Sequence, residues 1–168
     1  ALALNRHFAI ITGGPGTGKT TVLATILALE LERQPDLRIA LAAPTGKAAA
    51  RMTAAIAEEI HAGRLLNISN ANAEKLTALP AKTIHALIGA AAPGRKPRFN
   101  QKNQLACDLA VIDEASMASL PIMARLLDAL PPACRLLLLG DKDQLTSVEA
   151  GSVLADLCAH PELEHHVA

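Results

Sequence analysis

The segment from Gly13 to Thr20 has the residue types and spacing of a loop that binds phosphate. It reads Gly-Gly-Pro-Gly-Thr-Gly-Lys-Thr and matches the pattern Gly-x-x-x-x-Gly-Lys-Ser/Thr. Glycines let the backbone wrap an anion with its N–H groups pointing inward, in conformations that a Cβ would forbid. Lys19 can reach the β- and γ-phosphates of a nucleotide, and the Thr20 hydroxyl can ligate magnesium. The pattern predicts binding of ATP with Mg²⁺ through Gly13, Gly14, Pro15, Gly16, Thr17, Gly18, Lys19, Thr20 and Thr21.

Two carboxylates, Asp113 and Glu114, directly follow the apolar run Ala110-Val111-Ile112. Such a run is typical of a buried parallel strand, and the carboxyl ends of parallel strands are where open α/β sheets build their ligand sites. In enzymes with a phosphate-binding loop, an Asp at this position holds magnesium and a neighbouring Glu orients the attacking water. We therefore predict Asp113 as a metal ligand and Glu114 as the general base, with Lys19 as a further catalytic residue.

A third polar segment, Gly140-Asp141-Lys142-Asp143-Gln144, follows the next apolar run along the chain. A glutamine in such a loop can donate a hydrogen bond to a γ-phosphate and lose that bond when the phosphate is hydrolysed. Gln144 is therefore predicted as a catalytic residue that senses the state of the nucleotide.

Short apolar runs alternate with longer helical patterns, which is typical of a parallel sheet with crossover helices. Strands are predicted at residues 8–12, 38–43, 109–112 and 135–139, the last as an interior strand buried on both faces. Helices are predicted at residues 19–33, 44–62, 120–130 and 151–159, with a short helix within 67–79 and a helical turn at 83–88. Thr45 is the expected N-cap of the second helix. The fold class that follows is α/β.

The composition is that of one globular domain. The chain has 168 residues, of which 51% are hydrophobic and 19% charged, so disordered and fibrous classes are excluded. No apolar run approaches the roughly 20 residues of a membrane helix, and residues 1–8 do not resemble a signal peptide, so a cytoplasmic protein is expected. Phe8 and Phe99 are the only aromatic residues, which leaves little scope for stacking on nucleic-acid bases.

Charge is balanced overall but uneven along the chain. Lys and Arg number 16, as do Asp and Glu, yet residues 75–107 carry six basic side chains and no acidic one. The densest part of this basic segment, Pro93 to Lys102, is predicted to be an exposed loop. Two interpretations stay open for the segment: a solvated surface, or a path for a phosphate backbone.

Five motifs in a fixed order give the chain a family resemblance. They are Gly13 to Thr20, Ala43-Pro44-Thr45-Gly46-Lys47-Ala48-Ala49-Ala50-Arg51, Lys82-Thr83-Ile84-His85, Asp113-Glu114-Ala115-Ser116, and Gly140 to Gly151 with its Ser-Val-Glu-Ala-Gly ending. Together they resemble the successive motifs of superfamily 1 DNA helicases, and specifically those of the RecD family, the α subunits of exodeoxyribonuclease V. The resemblance covers nearly all of the chain and implies a P-loop NTPase with a RecA-like sheet and helices on both faces.

The resemblance also implies roles and partners. It makes Lys19 and Thr20 the ATP and magnesium residues, Asp113 the magnesium-associated carboxylate, Glu114 the base and Gln144 the link between γ-phosphate and DNA. The residues implied to face single-stranded DNA are Pro44, Thr45, Lys47 and His85. For His85 a second interpretation stays open, a helix residue packed at the domain surface. The family implies a 5′-to-3′ motor in recombinational double-strand break repair. It would work beside a helicase-nuclease subunit and a recognition subunit in a RecBCD-like heterotrimer.

Helicases of this superfamily have two RecA-like domains, and residues 1–168 are expected to form only the first. The second domain, which supplies an arginine to the nucleotide, and the segment that recognises adenine, expected upstream of Ala1, would lie outside this sequence. Without the arginine, hydrolysis by this domain alone should be slower by a factor of about 10³ to 10⁵.

Two other functions fit a short P-loop protein. A small-molecule kinase would need a lid with several arginines, for which Arg95 and Arg98 are the close candidates, and the Asp-Glu pair favours water as the nucleophile. A binding module whose protein interface is switched by nucleotide is the other alternative. Turnover stimulated by DNA would separate a motor from both.

Overall fold

The alternation of apolar runs and helical patterns produces a parallel sheet between two layers of helices. We describe a computed structural model of the chain, which covers residues 6–14, 16–65, 68–90, 97–141 and 153–159. Five strands are present in this described part: β1 (Phe8–Thr12), β2 (Ile39–Ala43), β3 (Lys82–Thr83), β4 (Leu109–Ile112) and β5 (Arg135–Gly140). The helices of the same part are α1 (Lys19–Arg33), α2 (Gly46–His61), α3 (Asn70–Thr77), α4 (Ile84–Leu87), α5 (Leu120–Ala129) and α6 (Val153–Ala159), with a 3-10 turn at Ala115–Met117.

The strands lie in the order β1-β5-β4-β2-β3, and every neighbouring pair is parallel. The predicted interior strand is confirmed: β5 lies between β1 and β4, and its last five residues are buried. In register, Thr12 faces Gly140 and Ile112 faces Leu138, so the chain leaves three adjacent strands at the same edge of the sheet. The segments that follow β1, β4 and β5 are therefore brought together.

Alternate residues of the strands feed two apolar clusters, one on each face of the sheet. On one face, Leu27 of α1 and Met52 of α2 pack on Val111 and Leu139. On the other face, Ile84 of α4 and Leu126 of α5 pack on Ile112 and Leu138. The predicted RecA-like α/β fold with helices on both faces is confirmed by this arrangement.

The predicted boundaries hold to within one or two residues for β1, β2, β4 and β5 and for α1, α2 and α5. The short helix predicted within 67–79 occupies 70–77, and residues 151 and 152 of the predicted last helix lie outside the described residues. Two features were not predicted: the two-residue strand β3 and the 3-10 turn after Glu114. Both are too short to produce a period in the sequence.

Ion pairs join the elements at the amino-terminal edge of the sheet. Arg135 of β5 donates to both carboxylate oxygens of Glu30 on α1 at 2.5 and 2.6 Å, and the Glu30 side chain is only 5% exposed. Arg38 makes a second bidentate pair with Asp108, at 2.9 and 2.6 Å. These hydrogen bonds from Arg38 lower the pKa of Asp108 to about 2. The edge opposite the strand carboxyl ends is thus held by charge-assisted hydrogen bonds.

Gly140, the last residue of β5, lies where a side chain has no room. A Cβ built there would be 2.5 Å from Cδ2 of Leu154 and 3.2 Å from the backbone nitrogen of Ser116. We expect Gly140→Ala to lower the free energy of unfolding by about 1 to 3 kcal/mol, because the backbone of the 3-10 turn must shift. Gly46→Ala is the matched control, since no atom lies within 4 Å of its Cβ position. Urea denaturation of the two variants measures the difference, and equal unfolding free energies would contradict the expectation.

Candidate nucleotide-binding site

The phosphate-binding loop connects β1 to α1 and depends on left-handed backbone at two glycines. Gly16 has φ +76° and Gly18 has φ +84°, in the region where residues with a Cβ are strained. Gly18 also forms the N-cap of α1, and no side chain caps the N–H groups of the first turn there. The sequence pattern thus places a helix N-terminus, with its partial positive charge, directly after the loop.

Lys19 folds over this loop. Its ammonium donates to the carbonyl oxygen of Gly13 and, at 2.9 Å, to that of Gly14. The Thr17 hydroxyl donates to the same Gly14 oxygen at 2.8 Å. An ammonium held at the centre of the loop is in place to meet the phosphate that the loop surrounds.

A cavity of about 390 Å³ opens between the loop, α2 and the carboxyl ends of β4 and β5. The predicted residues Lys19, Thr20, Asp113 and Glu114 line it together with Gly16, Thr17 and Gly18. Its other lining residues are Ala48, Arg51, Met52, Ala55 and Asp141. Pro15 and Gln144, which were predicted for nucleotide binding and catalysis, lie outside the described residues.

The acidic pair leaves β4 through a tight turn. The Asp113 N–H donates to the carbonyl oxygen of Ala42 on β2 at 2.9 Å, and the Glu114 N–H donates to Oδ1 of Asp113 at 2.9 Å. Glu114 has φ +52° and ψ +38°, and it is the only residue other than glycine with positive φ in the described part of the chain. A left-handed conformation at such a residue costs about 1 to 3 kcal/mol and is most common at functional sites.

Burial raises the pKa of the Asp113 carboxyl, because desolvation disfavours its charged form. The Glu114 N–H and the positive charges of Lys19 and Arg51 act in the opposite direction without cancelling the effect of burial. An ionised Asp113 carboxylate therefore lacks much of the hydration that stabilises it in water. A cation bound at its oxygens would relieve that cost.

The chemistry of the donors fits magnesium. Thr20 offers a hydroxyl oxygen and Asp113 carboxylate oxygens, and both residues line the same cavity as the phosphate loop. Magnesium prefers oxygen ligands and is usually held by one or two protein groups together with substrate phosphates.

Thr21 was predicted to bind nucleotide, but its hydroxyl lies against α2. It donates to Oε1 of Glu59 at 3.1 Å, and Arg64 donates to the same oxygen at 2.9 Å. The Glu59 side chain is 9% exposed, and within the described residues its Oε2 has no hydrogen-bond partner. The Thr21 hydroxyl thus ties α1 to α2, and a role for its backbone N–H in binding phosphate stays a prediction.

The sequence analysis assigned no role to two charged residues of the cavity, Arg51 and Asp141. Asp141 directly follows β5. Its position after an apolar run in the sequence was the signal that could have identified it as a residue of the site. Arg51 lies on α2 at positions i+3 from Ala48 and i−4 from Ala55, which also line the cavity. That helical spacing was present in the sequence, but only the fold shows which face of α2 it marks.

The segments predicted to face DNA begin at neighbouring strand ends. Ala43 pairs with Thr83, so Pro44 and Ile84 leave the sheet side by side. Thr45 is the N-cap of α2, as predicted, and accepts a hydrogen bond from the Ala48 N–H at 3.2 Å. The side chains of Thr45, Lys47 and His85 are exposed on this edge. Their roles in binding DNA stay predictions.

The basic segment does not form one surface. Lys75 on α3 donates to the carbonyl oxygen of Pro35, which lies beyond the end of α1 at the opposite edge of the sheet. Lys82, in contrast, pairs with Ala42 near the carboxyl end of β2. Arg95 and Lys96 lie outside the described residues.

Comparison with known proteins identifies the family and the fold of the chain. A model of the AAA_19 family, described as an AAA domain, matches residues 1–150. The chain belongs to the AAA_19 family. The ATPase domain of a Thermus phage large terminase has the same fold, with a TM-score of 0.55 over 81% of this chain and 60% of the other, at 13% sequence identity.

Two curated relatives are longer proteins that contain a segment similar to this chain. The RecBCD enzyme subunit RecD of Mycolicibacterium smegmatis is 50% identical over 163 residues, which are 93% of this chain and 28% of that protein. The ATP-dependent RecD2 DNA helicase of Deinococcus radiodurans is 36% identical over 151 residues, 90% of this chain and 18% of that protein. The resemblance to RecD is confirmed, and the chain spans less than a third of the length of the relatives it matches.

We expect Asp113→Asn to stabilise the nucleotide-free protein at pH 7. Because burial raises the pKa of Asp113, the folded state binds a proton more readily than the unfolded state, and ionisation destabilises the fold. The stability gain should be full above the raised pKa and should disappear as the pH falls below the ordinary Asp pKa of about 4, where the carboxyl becomes protonated in both the folded and the unfolded state. Denaturation at several pH values measures it, with Asp36→Asn, an exposed residue, as the control. A variant that is less stable than wild type at pH 7 would contradict this account.

Proposed function

We propose that this chain is an ATP-hydrolysing motor domain that acts within a 5′-to-3′ DNA helicase. One observation carries the proposal: the phosphate loop with Lys19 and Thr20 lines the same cavity as Asp113 and Glu114. A phosphate site beside a magnesium ligand and a carboxylate that can orient water is suited to hydrolysis of a phosphoanhydride. The names of the relatives, RecD and an ATP-dependent DNA helicase, supply the link to DNA.

In this mechanism the loop N–H groups and the N-terminus of α1 bind the phosphates of ATP, and Lys19 compensates their charge. Thr20 and Asp113 would hold the magnesium ion, which withdraws charge from the phosphate under attack. Glu114 accepts a proton from the attacking water. The tight turn that gives Glu114 positive φ follows β4 directly and holds this carboxylate at the cavity.

DNA binding is assigned to the start of α2 and the start of α4. Pro44, Thr45, Lys47 and His85 form the proposed contact, on a strand edge where the N-terminus of α2 adds partial positive charge. Gln144, in the segment after β5, is proposed to couple the γ-phosphate to this contact. The scarcity of aromatic residues favours contacts to the phosphate backbone over base stacking.

The wider setting is proposed from the relatives. We assign the chain to the first of two motor domains, with the second supplying an arginine to the nucleotide. The name RecBCD favours a cytoplasmic heterotrimer with helicase-nuclease and recognition subunits, acting in recombinational repair of double-strand breaks. None of the helices in the described part of the chain has the length and apolar character that a membrane span requires.

A kinase is less well supported than a motor. Of the two arginines considered for a lid, Arg98 lies over the ring of Phe99, 5.3 Å from its centroid, and beside Gly89 at the end of α4. It is not among the residues that line the cavity. Arg95 lies outside the described residues. Glu114 at the cavity favours water as the acceptor of the phosphoryl group.

Steady-state ATP hydrolysis by the full-length protein, with and without single-stranded DNA, tests the proposal. We expect DNA to stimulate turnover in the wild type and Lys19→Ala to remove both turnover and most of the ATP affinity. Glu114→Gln should keep ATP binding and lose at least about 100-fold in kcat, because only the water-activating carboxylate is removed. Titration calorimetry separates the two variants. Turnover that DNA does not change, in the complete complex, would favour a kinase or a nucleotide-switched module.

Lys47→Ala should weaken single-stranded DNA binding at every sequence tested and lower the slope of log K against log salt by about 0.7, because one phosphate contact is lost. The measurement is a fluorescence titration at several salt concentrations. Lys75→Ala is the matched control, since Lys75 lies at the opposite edge of the sheet and should leave the slope unchanged. Equal slopes for wild type and Lys47→Ala would remove Lys47 from the DNA contact.

A further inference from the structure

One face of α2 forms a wall of the nucleotide cavity. Ala48, Arg51, Met52 and Ala55 all line it, at the spacing of residues that share one side of a helix. Three of these side chains are uncharged, so Arg51 is the charged group that α2 contributes. The Arg51 side chain is exposed, which places its guanidinium at the open side of the cavity rather than in the core.

The charges that line the cavity leave a role for a second basic side chain beside Lys19. Asp113, Glu114 and Asp141 are acidic, whereas Lys19 and Arg51 are the basic residues among the described lining residues. A nucleoside triphosphate with its metal is still an anion, so a carboxylate in the cavity that does not bind the metal, such as that of Glu114, opposes its approach. Lys19 already donates to two loop carbonyls. Within the described part of the chain, Arg51 makes no ion pair or side-chain hydrogen bond.

The position of α2 relative to the loop is constrained. Glu59, one turn beyond Ala55, accepts the hydrogen bond from Thr21 in the first turn of α1 at 3.1 Å. The buried Met52 and Ile56 pack with Leu23 and Leu27 of α1 in the same apolar cluster. Arg51 is therefore carried on a helix that is anchored to α1, the helix that directly follows the phosphate loop.

We propose that Arg51 is a nucleotide-binding residue that donates to the γ-phosphate from α2, while Lys19 approaches the same phosphate from α1. The inference rests on the proposed function of the cavity as an ATP site. Its chemical basis is the guanidinium group, whose planar set of donors matches two phosphate oxygens at once. An arginine within the first domain would thus share the charge compensation of the reacting phosphate with the arginine assigned to the second domain.

Equilibrium binding to the full-length protein tests this role, with a non-hydrolysable ATP analogue and ADP titrated separately in the presence of Mg²⁺. We expect Arg51→Ala to weaken binding of the triphosphate by roughly 10- to 100-fold, the range of a charge-assisted hydrogen bond, and binding of ADP by less than about threefold. Arg51→Lys should fall between wild type and Arg51→Ala, because it keeps the charge and loses the fork. Arg125→Ala, an exposed arginine on α5, is the control and should bind both nucleotides like wild type.

The outcomes separate the inference from the function on which it rests. If Arg51→Ala binds the triphosphate within twofold of wild type while Lys19→Ala does not bind, the role of Arg51 is overturned and the ATP site stands. If both nucleotides weaken equally in Arg51→Ala, the contact to the γ-phosphate is overturned. If Lys19→Ala also binds like wild type, the cavity is not the ATP site and the proposed function fails. Thermal unfolding of each variant confirms that it is folded.

Discussion

The parallel register of β1, β5 and β4 sets the distance between the phosphate loop and the acidic pair. The ladder continues one residue past β1, because the Gly13 N–H donates to the carbonyl oxygen of Gly140 at 3.2 Å. On the other side of β4, the Asp113 N–H donates to Ala42 at 2.9 Å. The first residue of the loop and the first carboxylate are thus both held by backbone hydrogen bonds, with one strand between them. For the proposed ATP site, this means that the backbone fixes the relative positions of the loop and the acidic pair before any ligand binds.

Much of the fold was predictable because its strands are buried on both faces. An apolar run of four to six residues between helical patterns leaves few alternatives, and the loop at Gly13 to Thr20 marks the order of the first strand and helix. The strand order, however, depends on which faces pack together, and no local pattern contains it. The two-residue strand β3 shows why local patterns are not enough. Lys82 and Thr83 pair with β2 because α3 brings the chain back beside that strand.

The site was predictable where its residues follow a strand or belong to the phosphate-loop motif. Asp113 and Glu114 directly follow β4, Lys19 and Thr20 end the motif that follows β1, and all four line one cavity. Arg51 and Thr21 show what the sequence could not provide. Both lie on helices at positions that the loop motif does not fix, and there the direction of a side chain depends on packing against a neighbouring helix, here the contact between α1 and α2. Similarly, the run of basic residues from 75 to 107 suggested one surface, yet Lys75 and Lys82 reach different edges of the sheet.

Two features of the site bear on the proposed motor function: the free-energy cost at Asp113 and Glu114, and the position of α2. Desolvation disfavours the charged form of Asp113, and Glu114 is held in a left-handed conformation that costs free energy. The fold therefore bears an energetic cost at this site when no ligand is bound. A bound cation and phosphate would offset the electrostatic share of that cost, which makes the site responsive to its ligand. The α2 helix begins at Gly46, on the edge assigned to DNA, and Arg51 follows five residues later, about 8 Å along the axis. Fewer than two turns of one helix separate the N-terminus of α2 from Arg51. If bound DNA displaced α2, the cavity wall that α2 forms would therefore move with it, and no other side chains would be needed to transmit the movement.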